Sequence, residues 1–339
     1  MTNECNGQTT CKVENIILTI LSIFALLVTV FGNIFNLISF YICRNQSLKS
    51  NTTFIILSII FLFEALTLNT WNLDIFLQIF PRKNDRKYNI DNHNIIESSS
   101  VFTCKIFTFT QYFSLHSISW LMSLMTVDQV VKIYFPKNSF QKPKLIKKII
   151  FCILLILFLA NSHILLFAGV VNNFKFSKKI NVNGTWLNET VVVKQIDCYS
   201  SSLYQFYPIW DRIHLFLYCF IPFSLMMACN LFMVRKILFY PSTLNHRRSV
   251  IVKRRTISFF IIAHSLMFMA CSLPSIVSYG FYFYRLKMTR FGEIVLVILD
   301  EIIFSFFAFN FLAHLVMNKI YRKEFKRTMS YWYSYLVLK

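Results

Sequence analysis

The feature that most constrains this chain is its repetition of long apolar runs. Crossing the hydrocarbon core of a bilayer takes about 20 mostly apolar residues. Seven stretches of the 339-residue sequence meet that length, at 15–42, 53–80, 101–133, 146–171, 207–239, 254–284 and 291–318. Polar segments such as Arg44-Asn45-Gln46-Ser47, Arg82-Lys83-Asn84-Asp85, Lys142-Pro143-Lys144 and Asn245-His246-Arg247-Arg248 separate them. With 56% hydrophobic and 15% charged residues the chain is too apolar for disorder, and six glycines hardly supply the turns of a soluble α/β enzyme. The expected architecture is an all-α membrane protein: a seven-transmembrane helix bundle over 15–318, preceded by a short segment 1–14 and followed by 319–339.

A net charge of +20 raises the question of nucleic-acid binding, which needs a basic patch with exposed aromatics on a water-soluble domain. Here the 38 phenylalanines lie inside apolar runs, so the basic balance points to loops facing anionic lipid, and nucleic acid is excluded as a partner. Lys and Arg gather after the first, third, fifth and seventh runs (Arg44, Lys49, Lys132, Lys137, Lys142, Lys144; Arg235, Lys236, Arg247, Arg248; Lys319, Arg322, Lys323), where almost the only acids are Asp128 and Glu324. By the positive-inside rule that face is cytoplasmic and segment 1–14 is extracellular. The glycosylation sequons at Asn183 and Asn188 fall in the long fourth-to-fifth loop, on the face assigned to the outside. Residues 1–14 lack a cleavable signal's basic and apolar regions, so the first run is the expected insertion signal.

Several spaced residues narrow the reading. The first run carries Gly32-Asn33, and the second an acid, Glu64, within Phe61-Leu62-Phe63-Glu64-Ala65-Leu66. The third opens on Cys104 and reaches Asp128-Gln129-Val130, with Pro136 following. Pro222 lies in the fifth, Cys271-Ser272-Leu273-Pro274 in the sixth and Asn310-Phe311-Leu312-Ala313-His314 in the seventh, before Lys319-Ile320-Tyr321-Arg322-Lys323-Glu324-Phe325. In this order the set resembles the rhodopsin-like (class A) G-protein-coupled receptors, in a divergent form close to invertebrate peptide or chemosensory receptors. The chain departs from that family at Gln129 in place of arginine, Ser272 in place of tryptophan, and Phe311 and His314 in place of proline and tyrosine.

The resemblance implies roles. Cys104 and Cys198, both on the oxidising side, are expected to be bonded, and Cys5 with Cys11 forms a second candidate pair. Glu64 is an acid inside an apolar helix, where a functional role is the default. In the family that acid holds a sodium ion, here with Asn310 and Ser117 or Ser119 as candidate partners; the alternative is a protonated Glu64 in a neutral network. Asp128 would pair with the family's arginine, and Lys132, one turn on, is the candidate substitute for it. Pro222 and Pro274 are candidate hinges. Residues 319–325 resemble the family's short amphipathic eighth helix, suited to anionic membrane lipid.

The outer halves of the runs supply Gln111, Tyr112, Tyr207, Trp210, Asp211, Tyr279, Tyr282, Asp300 and Glu301, an aromatic and acidic mouth suited to a cationic ligand with apolar groups. No HExxH, phosphate loop, Gly-x-Ser-x-Gly or helical pair of metal-ligating histidines occurs, so no enzyme is expected. The sequence thus points to a plasma-membrane receptor for an extracellular neuropeptide, acting on a heterotrimeric G protein. A chemosensory small-molecule receptor, a non-signalling ligand trap and a transporter or channel are the alternatives.

Overall fold

A computed structural model of the chain describes residues 8–79, 99–135, 142–182, 185–198, 209–239 and 248–337. In chain order these form α1 (Gln8–Cys43), α2 (Thr52–Thr67), α3 (Leu73–Ile79), α4 (Val101–Tyr134), α5 (Pro143–Phe167), strands β1 (Val170–Val182) and β2 (Thr185–Asp197), α6 (Ile209–Leu215), α7 (Ile221–Phe239), α8 (Arg248–Val277), α9 (Phe283–Lys287), α10 (Arg290–Met317) and α11 (Lys319–Val337). Five-residue π turns at Leu68–Asn72, Phe216–Phe220 and Ser278–Tyr282 join α2 to α3, α6 to α7 and α8 to α9 without breaking the rods.

The helix starts follow local chemistry. Asn51 caps α2 by accepting from the Thr53 N–H at 3.1 Å, and Ser100 and Thr103 form a reciprocal capping pair at the head of α4. Pro143 opens α5, where its missing N–H costs nothing, and Thr289 caps α10 through Gly292 N at 3.0 Å.

Among the described residues, six helices are long and apolar enough to cross a membrane: Lys12–Cys43, Thr52–Ile79, Pro143–Phe167, Arg212–Leu238, Ile257–Tyr282 and Arg290–Met317. The sequence expectation of a seventh apolar run at 101–133 meets a different finding. The segment is a 34-residue helix, α4, but its interior is lined by Thr108, Gln111, Ser114, His116, Ser117, Ser119, Ser123, Thr126, Asp128 and Gln129, all buried. It packs on α2, α5, α7 and α8, so other helices rather than lipid surround it and can satisfy polar side chains. The fourth run also ends earlier than expected, at Phe167, and Gly169 at φ +90° turns the chain into β1. The loop that follows is an antiparallel hairpin, Val170 opposite Asp197 through Val182 opposite Thr185.

The helices are apolar on their outward faces, and their inward faces mix apolar with polar side chains. On α1, Ile16, Ile20, Leu27, Ile34 and Leu37 are exposed while Ser22, Thr29, Asn36 and Ser39 are buried; on α5, Phe151, Ile156 and Leu159 are exposed and Asn161 is buried. A water-soluble bundle does not expose so many large apolar side chains, whereas a multi-pass membrane protein does. The main core runs through α1, α2, α4, α7, α8 and α10, with a second cluster of Ile42, Phe54, Leu57, Phe61, Phe311 and Tyr321 where α11 meets α1 and α2. Gly32 lets α1 close on its neighbours: a Cβ there would lie 2.8 Å from that of Ala308 and would run into Leu68.

Candidate functional site

Cys104, in the first turn of α4, is bonded to Cys198 at the foot of β2, with Cα atoms 5.5 Å apart. Gly169 lies beside the bridge, where a Cβ would come 3.3 Å from Cys104 Sγ. The pair expected from the sequence is therefore brought together, and it ties the hairpin to the head of α4. Asn188 lies on β2 opposite Lys179, whereas Asn183, Tyr207 and Cys5 lie outside the described residues, as do the side chains of Cys11, Asp211 and Asn188.

Two side-chain groups occupy the half of the bundle that carries the Cys104–Cys198 bridge. In the first, Tyr112 of α4 meets Trp210 of α6 edge to face at 6.2 Å and His214 at 4.8 Å. Beneath them runs a chain of buried polar groups whose protons can be deduced. Asn161 of α5 places its amide nitrogen 2.8 Å from the carbonyl of Leu157, which only accepts, so that nitrogen also donates to His116 Nδ1 at 2.9 Å. His116 therefore carries its proton on Nε2 and donates it to His214 Nδ1 at 2.9 Å, which leaves His214 with its proton on Nε2. Neither histidine was assigned a functional role from the sequence.

In the second group, Asp300 of α10 accepts from Ser275 Oγ and Tyr279 Oη, both at 2.7 Å, with Trp71 edge to face on Tyr279. Glu301 is one residue on and turned toward α1: it lies two helical turns from Ala308, the residue that meets Gly32. It is 4% exposed, and neither carboxylate oxygen has a hydrogen-bond partner among the described residues. Gln111 is buried. Tyr282 is 52% exposed and does not join either group, because the π turn carries it to the outside of the bundle.

At mid-depth, Asn310 of α10 donates to Glu64 of α2 at 2.7 Å. Glu64 Oε2 and Asn310 Oδ1 have no partner, and neither amide atom of the buried Asn36 has one, among the described residues. The antiparallel register that joins Asn72 to Ala25, and Asn69 to Asn33, brings Asn36 level with Glu64. The Glu64–Asn310 pair thus keeps one unpartnered oxygen on each residue among the described residues. Asn36 was missed by the sequence reading, and only its helical spacing from Gly32 could have signalled it.

Ser117 and Ser119 depart from the expectation that they would join Glu64. Ser117 donates to its own helix at Phe113 O, and Ser119 donates at 2.6 Å to Tyr218 O. The reason is Pro222. A proline has no N–H for the carbonyl four residues back, which here is Tyr218 O, and α4 supplies the missing donor. Trp120 Nε1 likewise donates to Leu217 O at 2.9 Å, and Ser123 Oγ to Pro222 O at 3.1 Å. Three α4 side chains thus fasten onto the irregular backbone at the centre of the fifth rod. Pro274 lies exposed within α8.

Toward the other end, His314 of α10 packs on His264 of α8, ring centroids 5.3 Å apart, among Phe61, Phe260 and Tyr321. Tyr321 donates to Ser39 at 2.8 Å, and burial raises its phenol above the usual range. It belongs to the core where α11 meets α1, and not to a face laid on lipid as the resemblance of 319–325 to an amphipathic helix implied. Asp128 closes this end. It is fully buried and accepts from Thr52 at 2.9 Å, Thr53 at 3.3 Å and Lys132 at 2.6 Å. Gln129 and Lys132 each reach Thr53 Oγ1 at 2.7 Å. These contacts form a latch between α4 and the first turn of α2.

No protein-family model matches the chain, and no curated protein is similar to it in sequence.

Proposed function

We propose that this chain is a seven-span plasma-membrane receptor that resembles the rhodopsin-like G-protein-coupled receptors, with α4 as the seventh crossing. In this reading an extracellular ligand, a neuropeptide by preference, shifts the bundle between two states, and its cytoplasmic face acts on a heterotrimeric G protein. The observation that carries it is α4 itself. One helix is held at its head by the Cys104–Cys198 bridge, at its middle by Ser119, Trp120 and Ser123 on the Pro222 break, and at its foot by the Asp128 latch.

Ligand selectivity follows from the outer acids. Asp300 already accepts two hydroxyl donors, whereas Glu301 has none among the described residues, so Glu301 is the stronger candidate for a basic group on the ligand. The oxygens of Glu64, Asn310 and Asn36 suit a sodium ion or a proton whose uptake differs between the two states. Gln129 favours a second reading, a receptor that binds ligand without signalling, because no arginine is available to meet a G protein.

Second-messenger output in cells expressing the native chain, Gln129→Arg and Cys104→Ser tests the proposal. Peptide-dependent output that disappears in Cys104→Ser supports a coupled receptor. Silence in the native chain with output restored by Gln129→Arg favours the trapping form, and silence of all three at normal surface expression contradicts the receptor reading.

A further inference from the structure

The last turns of α1, the chain just beyond it and α11 border a cleft of about 240 Å³, open on one side and lined by Tyr41, Asn45, Glu324, Arg327, Thr328 and Tyr331 among others. It lies where an apolar spanning helix ends and the basic α11 begins, the depth of lipid headgroups in the multi-pass reading on which this inference rests. Its charges are arranged by depth. Glu324 is 9% exposed in its side chain and lies on the floor, and Arg327 is 77% exposed at the rim, with 3.9 Å between them. That separation is longer than a hydrogen bond, so each partner keeps capacity for another ion.

The polar groups between them are acceptors and hydroxyls. Asn45 turns its amide nitrogen to Thr328 Oγ1 at 3.1 Å, which leaves its carbonyl oxygen as an acceptor, and Tyr41 and Tyr331 flank the opening. Trp332 packs on Tyr41 with centroids 5.6 Å apart and extends the aromatic wall. An anion alone would meet Glu324, and a cation alone would meet Arg327. A zwitterion satisfies both.

We propose that this cleft binds the headgroup of a zwitterionic aminophospholipid, phosphatidylethanolamine, its ammonium toward Glu324 and the Asn45 carbonyl and its phosphate toward Arg327. A primary ammonium offers three N–H donors to that acceptor set, whereas a quaternary ammonium offers none. The acyl chains would then run along the exposed apolar face of α1 at Leu37 and Ile34.

The test uses the full chain, extracted in detergent and returned to nanodiscs of phosphatidylethanolamine, phosphatidylcholine or phosphatidylglycerol, with thermal unfolding and lipid retention by native mass spectrometry. The expected result is highest stability and preferential retention with phosphatidylethanolamine. Glu324→Gln and Arg327→Gln should each lower the retention ratio over phosphatidylcholine about tenfold, the loss of one charge-assisted hydrogen bond, and Lys326→Gln should leave it unchanged. Equal retention of all three lipids, preference for phosphatidylglycerol, or a preference that survives both cleft variants would overturn the site while leaving the membrane reading intact. Recovery of the chain in the soluble fraction without detergent would overturn both.

Discussion

At the residue scale the decisive chemistry is the fate of buried polar groups. Asp128 is fully buried and is held by two threonine hydroxyls and Lys132, which is partly exposed. Hydrogen bonds to charged groups contribute about 1.5–3 kcal/mol each. Thr53→Val removes the hydroxyl that Gln129, Lys132 and Asp128 share, and should lower unfolding stability by about 1–3 kcal/mol in nanodiscs. It should also raise basal second-messenger output if the latch restrains the inactive state; unchanged stability and output would remove the latch from the account. Ser119→Ala leaves Tyr218 O without a donor and should cost about 0.6–1.7 kcal/mol, the range of interhelical hydrogen bonds in membranes. The Asp128–Lys132 and Glu64–Asn310 pairs and the Cys104–Cys198 bridge were legible because acids within apolar runs and cysteines at span ends are rare enough to seek partners. Asn36 and the Asn161–His116–His214 chain were not, because their partners lie on other helices and depend on inter-helix register.

At the element scale, helix positions could be read from apolar length, while irregularities could not. The π turn at Phe216–Phe220 and its repair by α4 depend on a proline whose consequence lies 99 residues away in sequence, as the Ser119–Tyr218 separation records. The hairpin had a signal that went unused: Asn183-Gly184 between two runs rich in β-branched and aromatic residues is a strong two-residue turn pattern. Close packing of α1 on α10 gives a sharp prediction. Gly32→Val places a branched side chain against Ala308 and Leu68 and should cost about 1–3 kcal/mol by overpacking, read as a lower thermal midpoint, whereas Gly32→Ala should cost less. Equal midpoints for the native protein and Gly32→Val would contradict the packing of α1 described above.

At the scale of the whole molecule, the apolar exterior around polar side chains buried between helices makes a membrane bundle, and its crossing number turns on α4. Composition alone demotes this helix because the bundle surrounds it and lets it keep serines, a histidine and an acid that a lipid-facing helix would not carry. The membrane topology measures its role most directly. Epitope tags at the two ends of the chain, stained in intact and in permeabilised cells, report the parity of crossings. With α4 as a span the count is seven: the N-terminal tag stains in intact cells and the C-terminal tag only after permeabilisation. If both tags lie on one side, the count is even, α4 does not carry an outside event to the inside, and the receptor account fails.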